Sequence, residues 1–397
     1  MFRKGLIYLA VSVLLFSVIA SPVRVQANEV DLAPNAKSVI LIDQDTGTVI
    51  FEKSSHTQLP PASITKIMTM LLIMEALDSG QITLNDKVRV SEYAASMGGS
   101  QIFLEEGEEM TVNELLKGIA LASGNDAAVA MSEYIAGSEE AFVNLMNKRA
   151  QELGLKDTFF QNSNGLPESK HYTSAYDIAI MSRELLKYEK ITEYTGLYQD
   201  YLRKGSDNPF WLVNTNRLVR FYNGVDGLKT GYTNEAKFCL AATAKRGSLR
   251  VIVVVMGEPS SKIRNKEVSQ LLDYAFNQYK NEVIYQKDQI ITEIRVNKGK
   301  EPKVNAVAPQ QISLLLKKNE KIEEYQQNIN LEKEVKAPVK QGDKLGTLET
   351  VKEGQVISTI PLVAGSDVLK ANLWDMIKIT SKQFLFQQSV NPIANRR

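Results

Sequence analysis

Two patterns of apolar positions occur in the first eighty residues, short strand-like runs first and a longer helix-like run after them. Apolar, mostly β-branched runs occupy Ser38–Asp43 and Thr48–Phe51, with the turn Gln44–Gly47 between them. Two such runs joined by a glycine-containing turn predict a β-hairpin. From Ser63 to Met74 the apolar positions cover nearly every side of a helix, which predicts a helix in the centre of a domain.

The middle of the chain has the apolar spacing of helices, and strand-like runs follow it. Apolar residues three and four positions apart predict helices at Asn113–Ala122, Asp126–Ile135, Glu139–Leu153 and Ala175–Tyr188. Two strands and a further helix are predicted at Phe238–Ala244, Leu249–Met256 and Glu267–Tyr279. Strands at both ends of a helical middle predict an α+β domain built around an antiparallel sheet.

The pattern changes again near residue 283. Short strand candidates separated by charged or glycine-containing turns occur at Ile290–Val296, Val304–Val307, Ile312–Leu316, Leu345–Val351 and Gln355–Leu362. Such a series predicts a small all-β module. With the termini described next, the predicted divisions of the chain are 1–27, 28–282, 283–365 and 366–397.

The two ends of the chain have membrane-related patterns. Arg3 and Lys4 precede a short apolar run and a small-residue site at 25–27, which predicts a cleaved secretory signal over residues 1–27. An uncleaved membrane anchor is the alternative. Near the other end, apolar residues fall on one helical face between about 366 and 388, namely Leu369, Leu373, Met376, Ile377 and Phe384, flanked by Trp374 and Phe386. This predicts an amphipathic helix in a membrane interface, with a helix packed on the β module or on a partner as alternatives.

Composition excludes several classes of function. The 397 residues have a net charge of +1, so no basic field favours nucleic acid. The single cysteine, Cys239, cannot form an intrachain disulfide, and we predict a buried strand position for it. With only two histidines, His56 and His171, a Cys/His zinc site is excluded by count. We therefore expect no metal and no cofactor.

The first candidate for chemistry is Ser63-Ile-Thr-Lys66. Residues three apart share one face of a helix, so Ser63 is expected beside the Lys66 amine at the helix start. Unpaired backbone N–H groups at that end favour negative charge, so Ser63 is a candidate nucleophile and its own N–H a candidate oxyanion donor. Lys66 can act as the base if burial and a neighbouring cation lower its pKa. Alone, the motif is also compatible with a capping serine and an exposed lysine.

Two further tripeptides are candidates of the same kind. Ser123-Gly-Asn125 presents a hydroxyl and an amide on a tight turn, although turn and helix-cap chemistry favour the same residues. Lys229-Thr230-Gly231 places a cation beside a hydroxyl on extended chain, and its glycine permits close approach by a substrate backbone. An ordinary turn is the alternative for this tripeptide. The order Ser-x-x-Lys, Ser-Gly-Asn and Lys-Thr-Gly along one chain favours a shared site.

The set Ser-x-x-Lys, Ser-Asp-Asn and Lys-Thr-Gly is typical of penicillin-binding proteins and class A β-lactamases, and this chain has Gly124 in place of the aspartate. With Ser-Gly-Asn in the middle, the chain resembles the low-molecular-mass penicillin-binding proteins, the serine-type D-alanyl-D-alanine carboxypeptidases. The resemblance covers about residues 35–280 and extends to the stretches Leu59–Thr69, Leu121–Ala127, Asn162–Leu166 and Thr173–Asp177. It implies a penicillin-binding, β-lactamase-like catalytic domain over 28–282, with the β module and the amphipathic helix after it.

The resemblance also implies a reaction and a location. Ser63 would form an acyl-enzyme with peptidoglycan stem peptides ending in D-Ala-D-Ala, Ser123 would relay a proton, and β-lactams would acylate Ser63. The Tyr232 N–H would be the second oxyanion donor, and Thr230 would bind the terminal carboxylate together with a basic residue. Arg264 matches that basic residue and Arg217 competes with it. The protein would be exported and held on the outer face of the cytoplasmic membrane.

Three other functions stay open at this point. A class A β-lactamase uses a glutamate for deacylation, sought here as Glu-x-x-x-Asn in the loop region after the second motif, where Glu140 and Asn144 have that spacing but lie in a predicted helix too soon after Ser123. A D,D-endopeptidase would use the same site on a cross-linked peptide. A non-catalytic wall-binding protein is the third alternative, and the presence of every reactive residue argues against it. Stem-peptide preference, oligomeric state and physiological stage have no sequence signature.

Overall fold

The computed structural model describes residues 31–378 of the chain. Residues 31–34 are the described end of a first compact unit, and everything from Asn35 onward belongs to the second unit. In the second unit, helices around an antiparallel sheet come first, and a region made mainly of strands follows. The α+β class and the later all-β module are therefore confirmed.

One five-stranded sheet organises the first region. The strands of this region, in chain order, are β1 (Ser38–Asp43), β2 (Val49–Lys53), β3 (Lys87–Arg89), β4 (Glu109–Thr111), β5 (Gln199–Leu202), β6 (Phe210–Val213), β7 (Val225–Thr233), β8 (Lys237–Arg246) and β9 (Leu249–Glu258). The main sheet has the order β2-β1-β9-β8-β7, and each neighbouring pair is antiparallel. The two pairs β3–β4 and β5–β6 form small separate hairpin-like ladders. Strand β7 therefore lies at an edge of the main sheet.

Helices surround this sheet and fill the middle of the region. They are α1 (Lys66–Asp78), α2 (Glu92–Ala95), α3 (Val112–Lys117), α4 (Asn125–Ala136), α5 (Glu139–Glu152), α6 (Ala175–Leu185), α7 (Ile191–Thr195), α8 (Leu218–Phe221) and α9 (Ser261–Gln278). Helix α6 packs on β1 and β9, and α9 packs on β8 and β9. Because nearly every successive residue of β9 is buried, both faces of that strand are covered.

Helix α1 lies in the core, as its apolar pattern predicts. Its residues from Lys66 through Met74 are all buried, and the apolar ones among them belong to the same hydrophobic cluster as the inner residues of β1, β8 and β9. The hairpin predicted at Ser38–Phe51 is confirmed as β1 and β2. The strands predicted at Phe238–Ala244 and Leu249–Met256 are confirmed as β8 and β9.

Several predicted helices differ from the observed ones at their ends, and the one predicted over Ala175–Tyr188 ends at Leu185. The helix predicted over Asn113–Ala122 ends at Lys117, where the backbone widens into a π-helical turn over Gly118–Ala122. Apolar spacing does not distinguish the two forms, since both present the same side chains to the core. The last helix begins at Ser261, six residues before the predicted start, because the Ser260 side chain caps it by accepting from the Ile263 N–H.

The second region is built from short strands. They are β10 (Tyr279–Tyr285), β11 (Ile290–Asn297), β12 (Lys303–Val307), β13 (Ile312–Lys317), β14 (Tyr325–Leu331), β15 (Val335–Lys336), β16 (Lys344–Lys352) and β17 (Gln355–Ala364). Six of them form a sheet in the order β14-β16-β17-β12-β11-β15, and β10 pairs with β13. The five predicted strands are confirmed, whereas β10, β14 and β15 were not predicted.

The final described segment differs from the predicted amphipathic helix at its start. Val368 pairs with Val339 and Lys370 pairs with Gly299, so this stretch is extended rather than helical. Helix begins at residue 373 and continues to 378, where the described residues end. The remainder of the predicted helix, including Phe384, and the predicted signal over 1–27 lie outside the described residues. Among the helices of residues 31–378, none has the length and apolar character needed to cross a membrane.

Candidate active site

The turn before α1 brings Ser63 to the amine of Lys66. Ala62–Thr65 form a 3-10 turn, and α1 continues directly from it. The Lys66 Nζ lies 3.1 Å from the Ser63 Oγ, which is a hydrogen-bond distance. The structure thus brings together the two groups that the three-residue spacing places on one helical face.

Neutral oxygen atoms surround the Lys66 amine. Besides the Ser63 hydroxyl, the side-chain oxygen of Asn125 and the backbone carbonyl of Asn164 each accept from Nζ at 2.6 Å. Complete burial, and after it the cation of Lys229, lower the pKa of Lys66 well below its ordinary value, while Asp126 opposes the shift. An amine in this setting is biased towards its neutral, proton-accepting form.

A left-handed residue presents the second motif to the cleft. Ser123 ends the π-helical turn with φ 63°, and it lines the same cleft as Ser63. Its hydroxyl oxygen is buried and has no hydrogen-bond partner within residues 31–378. A buried hydroxyl without a protein partner is available to a bound substrate.

The neighbouring loop is fixed by the first turn of α4. Asn125 donates through Nδ2 to the Gly98 carbonyl at 2.7 Å, which aims its oxygen at Lys66. The buried carboxylate of Asp126 accepts from the backbone N–H groups of Ile102 and Leu104 at 3.0 and 3.1 Å. The start of α4 therefore holds both the amide of the second motif and the loop that covers it.

Edge strand β7 supplies the third motif. Lys229 is buried to 1% exposure, and its amine donates to the Thr230 carbonyl at 3.1 Å. Burial and then the positive charge of Arg264 lower the pKa of Lys229 to about 7. The Thr230 hydroxyl donates to the Thr215 hydroxyl at 2.8 Å. Gly231 packs against the turn before α1, since an added Cβ would lie 3.0 Å from the Pro61 carbonyl oxygen.

The three motifs share one cleft with a volume of about 630 Å³. Ser63, Ser123, Thr230, Gly231 and Tyr232 all line it. Both arginines left open by the sequence line it as well. Arg217 is exposed, whereas Arg264 is buried and donates to the Cys239 carbonyl at 3.4 Å and to the Asn265 side chain. Burial lowers the pKa of Arg264 to about 10.

Sequence reasoning missed three contributors to this arrangement. Asn164 acts through its backbone carbonyl, and Thr215 comes from the loop after β6. Gly165 has φ 88°, and an added Cβ there would overlap the Ala62 carbonyl, directly before Ser63. The stretch Asn162–Leu166 resembles the family, but its sequence indicates no role for it. A backbone acceptor and a close backbone contact have no side-chain signature that would have identified them.

Four further residues considered from the sequence lie outside the lining of the catalytic cleft. His171 is buried, its Nε2 is 2.7 Å from the Thr65 hydroxyl, and burial lowers its pKa to about 4. Cys239 is fully buried in β8, as predicted. Glu140 and Asn144, the pair considered for a β-lactamase, are exposed positions of α5.

Both regions of the chain match families of known proteins. A family model described as D-alanyl-D-alanine carboxypeptidase matches residues 24–260. A model described as penicillin-binding protein 5, C-terminal domain, matches residues 279–370. The D-alanyl-D-alanine carboxypeptidase DacF of Bacillus subtilis (strain 168) is 55% identical over 350 residues, which are 88% of this chain and 90% of that protein.

Solved structures resemble the whole architecture. Penicillin binding protein 5 from Haemophilus influenzae has a TM-score of 0.69 at 30% identity, covering 85% of this chain and 98% of that one. Penicillin binding protein 6B from Escherichia coli has a TM-score of 0.64 at 32% identity, covering 83% and 95%. The α+β domain followed by an all-β domain is thus the architecture of these two penicillin-binding proteins.

The chain belongs to the D-alanyl-D-alanine carboxypeptidase family. It is a serine-type peptidase that removes the terminal D-alanine of peptidoglycan stem peptides, and it binds penicillin.

Proposed function

We propose that Ser63 is the nucleophile of this carboxypeptidase and Lys66 its general base. The observation that carries the proposal is the Ser63 hydroxyl, 3.1 Å from a fully buried amine of lowered pKa. Ser63 Oγ attacks the carbonyl carbon of the penultimate D-alanine, and its proton passes to Lys66. The C–N bond then breaks, and D-alanine leaves with a proton. Water hydrolyses the remaining ester and restores the serine.

The charges that develop during this attack need fixed partners. The backbone N–H groups of Ser63 and Tyr232 stabilise the oxyanion, for which the close packing of Gly231 on the turn at Pro61 supplies the supporting geometry. Ser123 relays the proton to the departing amine, since its hydroxyl is buried and unpartnered within the described residues. Asn125 holds the Lys66 amine through its 2.6 Å hydrogen bond.

The terminal carboxylate of the substrate binds at the other end of the cleft. Thr230 offers its hydroxyl there, and Lys229 supplies the positive field that keeps Lys66 neutral. Arg264 contributes a buried cation to this end of the cleft. Arg217 lines the same end from the exposed side, so we propose Arg264 as the carboxylate ligand with Arg217 as its competitor.

D-Alanine release from a peptide ending in D-Ala-D-Ala tests these roles. The wild type should release D-alanine, and Ser63→Ala should release none while retaining its fold by circular dichroism. Mass spectrometry after penicillin treatment should show one adduct, on the peptide that contains Ser63. Rapid turnover of penicillin would instead indicate a β-lactamase, and cleavage of cross-linked muropeptides alone would indicate an endopeptidase. A wild type without either activity or adduct would favour the wall-binding alternative.

We also propose export and attachment to the outer face of the cytoplasmic membrane. Residues 1–27 have the sequence of a cleaved signal, which leaves a catalytic domain over 28–282, a β-rich domain over 283–365 and a tail over 366–397. The described part of the tail supports an interfacial helix because several large apolar side chains of its helical residues are exposed, namely Leu373, Trp374, Met376 and Ile377. N-terminal sequencing of the secreted protein tests the cleavage after Ala27.

A further inference from the structure

A groove of about 460 Å³ lies beyond the end of β7, beside the catalytic cleft. Glu168 and Glu235 both line it. They also line a smaller pocket that includes Ala62 and Thr233. Ala62 precedes Ser63 and Thr233 follows Tyr232, so the smaller pocket lies next to the two backbone groups proposed to hold the oxyanion. The groove adjoins this pocket, since both are lined by Pro60, Glu168 and Glu235.

The direction of β7 determines which part of a substrate reaches this groove. As an edge strand, β7 can pair with an extended peptide. The substrate carboxylate is assigned to Thr230 and the scissile carbonyl to Tyr232, so the peptide runs towards its own N-terminus in the direction of Thr233. Residues before the penultimate D-alanine therefore pass the turn that carries Glu235.

The charge of the groove indicates the chemistry of its occupant. Glu168 and Glu235 are exposed, one on the loop after Leu166 and the other in the turn after β7. They are the charged side chains of the described lining, because burial lowers the pKa of His171 to about 4 and keeps it neutral. Two carboxylates alone would not define a site. The groove does, because the pocket it adjoins lies beside the residues that flank Ser63 and Tyr232, and the carboxylates select a cation.

We propose that this groove binds the third residue of the stem peptide, the one before D-Ala-D-Ala, and that Glu168 and Glu235 receive its side-chain amine. The inference rests on the proposed function, since the direction of the peptide follows from the roles of Thr230 and Tyr232. Peptidoglycan stems are cross-linked through a side-chain amine, and cross-linking converts that amine to a neutral amide. The groove therefore favours stems that are not yet cross-linked through this residue.

Two tripeptides that differ in one group test the proposal. Nα-acetyl-L-Lys-D-Ala-D-Ala has a free side-chain ammonium, and Nα,Nε-diacetyl-L-Lys-D-Ala-D-Ala has none. The wild type should cleave the first with a kcat/KM about fivefold higher, as expected for two exposed ion pairs. The preference should decline as salt is raised, since exposed charges are screened. Glu168→Gln/Glu235→Gln should abolish the preference.

A matched variant separates a local contact from the overall charge. Glu189→Gln/Glu193→Gln removes two exposed carboxylates outside the groove lining and should retain the preference. Acylation of Ser63 by penicillin should be the same in all three proteins. Equal kcat/KM for the two peptides in the wild type, or a preference that survives in Glu168→Gln/Glu235→Gln, overturns the subsite alone. Absence of D-alanine release from both peptides overturns the proposed function, and the subsite with it.

Discussion

Three basic side chains at the cleft, those of Lys66, Lys229 and Arg264, form a buried row. Burial lowers the pKa of each of them. The positive charge of Lys229 also lowers the pKa of Lys66, and the positive charge of Arg264 lowers the pKa of Lys229. Such a row destabilises the folded chain, because the protonated forms are more favourable in water. Burial and the positive charge of Lys229 bias the Lys66 amine towards its neutral form, so the proposed general base is obtained at a cost in stability.

Stability should therefore depend on pH through Lys229. The folded chain binds this proton with a pKa of about 7, and the unfolded chain binds it near the ordinary value of about 10.4. Between these values the unfolded state binds more protons, so wild-type stability rises with pH. The wild type should therefore gain stability relative to Lys229→Met, by on the order of 2 kcal/mol, as the pH is raised from about 7 to about 9. Urea denaturation at the two pH values measures the free energy of unfolding of both proteins.

A second cleft lysine provides the control for this measurement. Lys262 lines the cleft but is exposed. Lys262→Met should differ from the wild type by the same free energy at both pH values. If the difference in free energy of unfolding between Lys229→Met and the wild type stays constant with pH, the pKa of Lys229 is not lowered in the folded protein.

Among the elements, prediction succeeded where a pattern of side chains determines the structure. The central position of α1 follows from apolar residues on every side, and β8 and β9 follow from continuous apolar runs. The β5–β6 pair was missed because its residues mix exposed aromatic and charged positions, as at Tyr201 and Trp211. The π-helical turn was missed because Gly118–Leu121 are all buried, so the apolar pattern there does not distinguish one helical period from another.

In the candidate site, too, the sequence predicts the side chains that belong to a motif and does not predict the groups that only the fold selects. The sequence predicts Ser63, Lys66, Ser123 and Lys229 as candidates because their motifs are made of side chains in a fixed order, and the structure brings these residues to one cleft. The Asn164 carbonyl was not, since every residue has one and only the fold selects it. Neither could the choice between Arg217 and Arg264 be made, because it depends on how a loop and a helix meet at the cleft.

The loop at Gly165 lies against the turn before α1 that carries Ser63, so a substitution at Gly165 should affect the site directly. Its φ of 88° and its contact with the Ala62 carbonyl leave no room for a side chain. Gly165→Ala should lower the free energy of unfolding by about 1–3 kcal/mol. Because the next residue after Ala62 is Ser63, penicillin acylation should slow by about tenfold or more. Stopped-flow fluorescence with a labelled penicillin measures the rate.

Gly137 is the matched control, since it has a similar φ of 84° at the end of α4 but open space around its Cβ position. Gly137→Ala should cost about 1 kcal/mol of stability and leave the acylation rate unchanged. Equal acylation rates in Gly165→Ala and the wild type would show that the loop does not position Ser63.

At the scale of the whole molecule, one carboxylate connects the catalytic region to the β-rich region. Asp45, in the turn between β1 and β2, accepts through one oxygen from Asn281, Gln311 and Ser313 at 3.1, 2.8 and 2.7 Å. Asn281 and Ser313 are buried, so the loss of their shared acceptor leaves polar groups unsatisfied. The contact fixes β10 and β13 against the start of the main sheet.

Asp45→Ala should therefore lower the free energy of unfolding by about 1–3 kcal/mol. Penicillin acylation should be unchanged, because Asp45 is not among the residues that line the cleft. Asp207→Ala, which removes an exposed loop carboxylate, should alter neither quantity. Urea denaturation and acylation kinetics on the three proteins distinguish a connection between regions from a general charge effect, and equal stability of all three would exclude the connection.

The tail should attach the molecule to a lipid surface through the apolar side chains of its last described helix. Leu373 and Ile377 are one helical turn apart and are 70% and 49% exposed, so they share a face. Burying two such side chains in a bilayer interface contributes about 1.5–3 kcal/mol each. Leu373→Glu/Ile377→Glu should therefore reduce co-sedimentation of the chain from residue 28 onward with phosphatidylglycerol–phosphatidylethanolamine vesicles by more than about tenfold. Val356→Glu/Ile357→Glu, which alters comparably exposed residues of β17, should bind vesicles as the wild type does. If both double variants bind equally, the terminal helix is not the membrane contact.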